Sequence, residues 1–89
     1  QEILQMDLSN SVTDERAVGY IATGLSQGEA DPDGTEDLRT RRLPFREALH
    51  EAMSGTIRDA LTVAMLLRAY YMGLEGELDE ALAAAMLQR

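Results

Sequence analysis

The periodicity of the apolar residues changes once along the chain, at Pro44, and this change constrains the fold more than any other feature. Before Pro44, apolar and polar residues alternate in short runs, as they do in β-strands. After it, apolar residues recur at helical spacing, as at Phe45, Leu49 and Ala52. In a chain of only 89 residues, strands followed by helices predict one small α+β domain.

Three strands are predicted in the first part of the chain. Residues 3–8 alternate between apolar and polar side chains, which predicts a strand with one solvent-facing side. The apolar side of that strand would carry Leu4, Met6 and Leu8. Residues 16–25 are small or apolar on both sides, which predicts a central strand buried on both faces. Residues 38–43 form the third predicted strand.

Three helices are predicted in the second part. The first begins at the proline, which suits a first helical turn, and ends at Gly55. The second covers residues 60–72, with Asp59 as its N-cap and Gly73 as its end. Because it is apolar around most of its circumference, we predict that it is the buried helix. The third covers residues 78–88 and carries one apolar row, namely Leu78, Leu82 and Met86.

Composition excludes several kinds of function. The chain has 16 acidic residues, eight arginines, no lysine and no cysteine, and its net charge is −8. Disulfides and thiolate metal sites are therefore excluded, and the negative field repels nucleic acid and anionic membranes. No apolar run is long enough to span a membrane and no signal-like run is present, so we expect a cytoplasmic protein. Because the first residue is Gln1 and the first residues already have a strand pattern, we expect a fragment, a processed chain or one part of a larger fold.

Residues 26–37 form an acidic loop that comes just before two arginines, Arg39 and Arg41. Its carboxylates belong to Asp31, Asp33, Glu36 and Asp37. One interpretation is a solvated loop. The other is a mobile loop that delivers a carboxylate to an active site as general base or metal ligand. The two guanidinium groups would then suit phosphate oxygens.

The sequence offers little else for metal binding. His50 is the only histidine, and Ser54 lies four positions after it, so no HExxH motif exists. We therefore predict a surface or interface histidine and no metal ligand within this chain.

Three segments, in this order, resemble the C-terminal half of Nudix hydrolases, and most closely the subgroup acting on ADP-ribose and nucleoside-diphosphate sugars. They are LSNSVTDERAVGYIATGL (8–25), GTEDLRTRRLPFREAL (34–49) and SGTIRDALTVAMLLR (54–68). The most specific part is GTIRDALT, residues 55–62. The resemblance implies that residues 1–73 are the C-terminal portion of a Nudix-type α/β/α sandwich and that residues 74–89 are a helical extension.

The resemblance also implies an activity and a set of site residues. The intact protein would hydrolyse the diphosphate of ADP-ribose or a related nucleoside diphosphate sugar, with magnesium as cofactor. Glu36 falls where some relatives place a catalytic or metal-linked glutamate on a flexible loop. Glu15 and Ser11 fall on the loop that faces the substrate, although the usual proline and glycine of that loop are missing. Arg39 and Arg41 would contact the substrate phosphates.

The Nudix box, which holds the magnesium-binding glutamates, is absent from the chain. Residues 46–55, REALHEAMSG, imitate part of it, but Leu38 stands where the box needs glutamate and Met53 where it needs glycine. We therefore expect the box to lie N-terminal to Gln1 and expect this chain alone to be inactive.

Association is predicted as well. The resemblance implies a homodimer or a pairing with the missing N-terminal half. An alternative from another functional class is a non-catalytic interaction or dimerisation module, in which the apolar row of the third helix packs either within the chain or across an interface.

Overall fold

The structure is a computed structural model that describes residues 1–8, 15–26 and 41–88. Two strands come first, β1 (Glu2–Asp7) and β2 (Arg16–Tyr20). Three helices follow, α1 (Phe45–Ser54), α2 (Ala60–Leu74) and α3 (Glu80–Met86). The predicted α+β class is therefore confirmed, with two strands rather than three in the described residues.

The two strands form an antiparallel hairpin with a bulge at Ile3. Leu4 pairs with Gly19 and Glu2 with Tyr20, so that Ile3 has no residue opposite it. A bulge turns neighbouring side chains toward the same face. Ile3 is consequently the most buried residue of the strand, at 4% exposure, and Leu4 also packs against the core.

β2 is not the central strand that the sequence predicted. It ends at Tyr20 rather than at residue 25, and its outward side chains Val18 and Tyr20 are 41% and 64% exposed. The reason is that α2 covers only one face of the hairpin. On that face Gly19 leaves room for Met65, whose sulfur would collide with any Cβ at this position.

The prediction of a third strand over residues 38–43 is not borne out in the described residues. Residues 38–40 lie outside the described residues, and residues 41–43 have no strand structure. A strand forms only when its backbone pairs with a neighbouring strand. Residues 41–43 instead lead directly into α1 at Pro44, where the carbonyl of Pro44 accepts the first helical hydrogen bonds from Glu47 and Ala48.

The helix boundaries follow local capping rules. α1 ends at Gly55, whose φ of 89° is left-handed, and the N–H of Thr56 donates to the carbonyl of Glu51 at 2.9 Å. α2 ends in the same way at Gly76, with φ 74° and a bond from the N–H of Glu77 to the carbonyl of Met72. The sequence predicted that Gly73 ends α2. In the structure the helix continues past Gly73, and the glycine that ends it is Gly76.

The core lies where β1, α2 and the segment before α3 meet. Its buried cluster consists of Ile3, Ala69, Met72 and Leu78. Arg68 strengthens this junction, because its Nε donates to the carbonyl of Ile3 at 2.9 Å. The apolar row of the C-terminal helix therefore packs within the chain, since Leu78 belongs to the cluster and Met86 packs against it. None of the helices in the described residues is long and apolar enough to cross a membrane.

Alanine at position 73 is expected to stabilise the fold. A Cβ on Gly73 would lie 3.8 Å from Cδ1 of Leu87, an ordinary contact distance. Because glycine disfavours a helix interior, Gly73→Ala should raise the free energy of unfolding by about 0.5–1 kcal/mol, measured by urea denaturation. In contrast, Gly55→Ala should lower it, since alanine resists the left-handed conformation there. A destabilised Gly73→Ala variant would argue that the helix ends at Gly73 after all.

The N-cap residue of α2, Asp59, stabilises the fold by an amount that depends on pH. The carboxylate of Asp59 accepts from Thr62 Oγ1 at 2.8 Å and from Thr62 N at 2.9 Å. These two bonds, the side-chain bond first, lower the pKa of Asp59 below its ordinary value of 3.8. A lowered folded-state pKa contributes stability above the ordinary pKa, and that stability is lost as the pH falls through the folded-state pKa. Asp59→Ala should therefore lower the Tm clearly at pH 7 and much less in strong acid. An equal loss at both pH values would contradict the capping role of the ionised carboxylate.

Candidate functional site

One predicted substrate residue, Glu15, lies at the end of the hairpin where β1 connects to β2. The N–H of Leu8 donates to the carbonyl of Glu15 at 3.0 Å, and Asp7 pairs with Arg16 in the next position of the ladder. The chain therefore leaves the sheet and returns to it at one point, and Glu15 stands exposed there. Ser11 belongs to the connection between these points and lies outside the described residues.

A shallow pocket lies at this end of the hairpin. It has a volume of about 340 Å³ and is lined by Gln5, Met6, Asp7 and Arg16. We call these four residues the hairpin-end pocket. Its guanidinium group can bind a phosphate oxygen and the carboxylate of Asp7 can accept from a hydroxyl group, whereas the amide of Gln5 already donates to Glu2 at 3.2 Å. Sequence reasoning did not single out Arg16, although its position directly after Glu15 at the start of a strand was a usable signal.

A second concave region offers poorer chemistry. It has a volume of about 430 Å³ and lies between the ends of the hairpin and α3. Its one charged side chain, Asp79, caps α3 by accepting from the N–H of Leu82 at 3.2 Å. This carboxylate is therefore already engaged in a structural role.

Arg41 has a partner that sequence reasoning missed. Its Nη1 lies 3.5 Å from Oε1 of Glu51, with side-chain exposures of 64% for the arginine and 18% for the glutamate. An ion pair with this exposure and this separation contributes little stability. Most N–H groups of the guanidinium can therefore still donate to another group. The other carboxylate oxygen of Glu51, Oε2, is buried and has no hydrogen-bond partner among the described residues. The two remaining predicted site residues, Glu36 and Arg39, lie outside the described residues.

Metal binding has no basis in the described part of the chain. Among residues 1–8, 15–26 and 41–88, no group of three or more histidine, cysteine, aspartate or glutamate side chains could hold a metal ion. His50 lies exposed on α1. The described residues therefore do not fit a complete magnesium site, and any such site needs ligands from elsewhere.

Comparison of the chain with protein-family models, with curated proteins and with solved structures gives no match.

Proposed function

We propose that this chain is the C-terminal, substrate-facing part of a magnesium-dependent Nudix hydrolase that cleaves the diphosphate of ADP-ribose or a related nucleoside diphosphate sugar. The observation that carries the proposal is the GTIRDALT segment, residues 55–62, which is also the most family-like part of the sequence. Gly55 takes the left-handed conformation, Ile57 is half-buried and Asp59 caps α2. These three residues end α1, pack against the fold and begin α2. This is expected of a motif that sets the angle between α1 and α2.

The hairpin-end pocket supports the same proposal. Arg16 lines it, and Glu15, which the resemblance puts on the loop that faces the substrate, precedes Arg16 in the chain. In a chain of net charge −8, Arg16 would offer a diphosphate one positive group, and magnesium would have to offset the repulsion from the carboxylate of Asp7. Arg16 would contact a phosphate oxygen, and Glu15 would accept hydrogen bonds from hydroxyl groups of the sugar.

Magnesium would be held by glutamates of a Nudix box N-terminal to this chain, and it would neutralise charge on the diphosphate. The residues described here supply positioning and not metal ligands. Glu36, on the acidic loop, would take a proton from the attacking water.

The test uses the product of the whole gene, read from its own start codon. We expect this protein to convert ADP-ribose into two phosphomonoesters when magnesium is present, and to stop when the metal is chelated. The 89-residue chain alone serves as the control and should be inactive. A gene that lacks an upstream Nudix box, or a product that leaves ADP-ribose and nucleoside diphosphate sugars intact, would refute the proposal.

The hairpin-end pocket has its own test. Arg16→Gln should raise the KM for ADP-ribose several-fold in the whole-gene product and change kcat little, because the lost contact serves binding. Arg58→Gln, an exposed arginine outside the pocket, is the matched control and should leave both parameters unchanged. Equal KM values for the two variants would remove Arg16 from the substrate site.

A further inference from the structure

The packing of α2 on the hairpin includes one contact made by a sulfur atom. Met65, on α2, is half-buried and packs against the buried core cluster. Its sulfur lies on the backbone of Gly19 in β2, in the space where the side chain of any other residue would begin. Helix and strand therefore approach each other here with only a thioether between them.

A small apolar cleft leads to the same methionine. Its volume is about 150 Å³, and both Met65 and Gly19 line it. The other lining residues are Leu4, Met6, Ala17, Val18 and Leu61. None of these residues is fully buried, so the cleft is open to solvent. It is large enough to admit hydrogen peroxide, a molecule little larger than water.

Methionine provides the only sulfur that this chain offers to an oxidant, because the sequence has five methionines and no cysteine. Hydrogen peroxide oxidises a thioether by two electrons. A lone pair of the sulfur attacks one peroxide oxygen, the O–O bond breaks and an S–O bond forms. The leaving hydroxide takes the proton of the transferred oxygen and becomes water. The product is methionine sulfoxide, which is polar and which methionine sulfoxide reductases convert back.

An added oxygen has no favourable place on the sulfur of Met65. If it points toward Gly19 it collides with the backbone, because the sulfur already fills the space beside that residue. If it points into the cleft it lies among apolar side chains, where a polar atom without a hydrogen bond is unfavourable. In both orientations α2 has to move away from the hairpin.

We infer that Met65 is a redox-sensitive contact between α2 and the hairpin, which peroxide loosens and reductase restores. The change would also reach the hairpin-end pocket, since Met6 lines both that pocket and the cleft. The inference does not rest on the proposed hydrolase activity, because oxidation and stability are measured without substrate.

Peroxide treatment followed by urea denaturation tests the inference. The folded chain is treated with hydrogen peroxide, and peptide mass spectrometry locates each sulfoxide. Once Met65 is oxidised, we expect a lower urea midpoint and a folding equilibrium constant that is smaller by roughly 5–30-fold. Methionine sulfoxide reductases of both stereospecificities should restore the original midpoint.

Three leucine variants serve as matched comparisons, since leucine has nearly the volume of methionine and no sulfur to oxidise. Met65→Leu should keep its midpoint under peroxide. Met53→Leu should lose stability like the unmodified chain, because Met53 is 56% exposed on α1, away from the contact. Met6→Leu should also lose stability, because Met6 lines the cleft but does not fill the space beside Gly19.

Four results would overturn the inference. The first is an absence of sulfoxide at Met65 after Met53 is fully oxidised. The second is an unchanged midpoint although Met65 is oxidised, and both of these are read from the unmodified chain even if a variant fails to fold. The third is an equal loss of stability in Met65→Leu. The fourth is full protection by Met6→Leu or Met53→Leu.

Discussion

Leu78→Ala is expected to lower the free energy of unfolding by roughly 2–5 kcal/mol, the usual range for a buried leucine. Leu78 is 7% exposed and contacts a cluster assembled from distant parts of the chain, with Ile3 on β1 and Met72 on α2. Small domains have a total stability of about 5–15 kcal/mol. The loss should therefore remove a large share of the total stability, measured by urea denaturation followed by circular dichroism.

The control for this variant is Leu25→Ala. Leu25 is 80% exposed, so its truncation removes little buried surface and should change stability by no more than about 0.5 kcal/mol. If Leu78→Ala has an equally small effect, the segment after residue 73 does not belong to the core. It would then behave as a separate extension.

Glu36→Gln is expected to lower kcat of the whole-gene product by roughly 10²–10⁴-fold, the usual contribution of a general base. Glutamine keeps the size and polarity of the side chain but cannot take a proton from water at neutral pH. Turnover of ADP-ribose with saturating magnesium is the measurement. The urea midpoint should be unchanged, which separates a catalytic effect from a folding effect.

The matched control is Asp31→Asn, which removes the same charge from the same acidic loop. It should retain most of the activity, because the proposed base is one particular carboxylate. Normal turnover of Glu36→Gln would exclude this residue from the mechanism. An equal loss in both variants would instead indicate that the total charge of the loop matters.

Features that depend on neighbouring residues could be predicted from the sequence. The first helix was correctly placed between Pro44 and Gly55, and Asp59 was correctly identified as the N-cap of α2. Both rest on contacts within a few positions, such as the bonds from Thr62 to Asp59. The end of α2 was wrong because Gly73 and Gly76 give similar local signals. Only the packing of the helix against Leu78 and Leu87 shows that Gly73 lies inside it.

The candidate site was predictable only in part. The position of Glu15 at a loop end followed from the sequence, and in the structure its carbonyl accepts from the N–H of Leu8 where the chain returns to the sheet. The pairing of Asp7 with Arg16 depends on strand register, which alternation of residues does not determine. The contact between Arg41 and Glu51 likewise requires the chain before α1 to fold back along the helix.

The sequence by itself determined the α+β class, the order of strands before helices, the helix caps at Gly55 and Asp59, the acidic charge and the exclusion of cysteine chemistry. These depend on residue type and on local hydrogen bonds. Only the tertiary structure decided which apolar faces are covered. Val18 on β2 and Leu67 on α2 are as apolar as Ile3 and Met72, yet the first two are exposed and the others buried. The reason is that burial depends on which elements pack against each other. α2 covers one face of the hairpin, while the side of α2 that carries Leu67 and Tyr71 stays exposed.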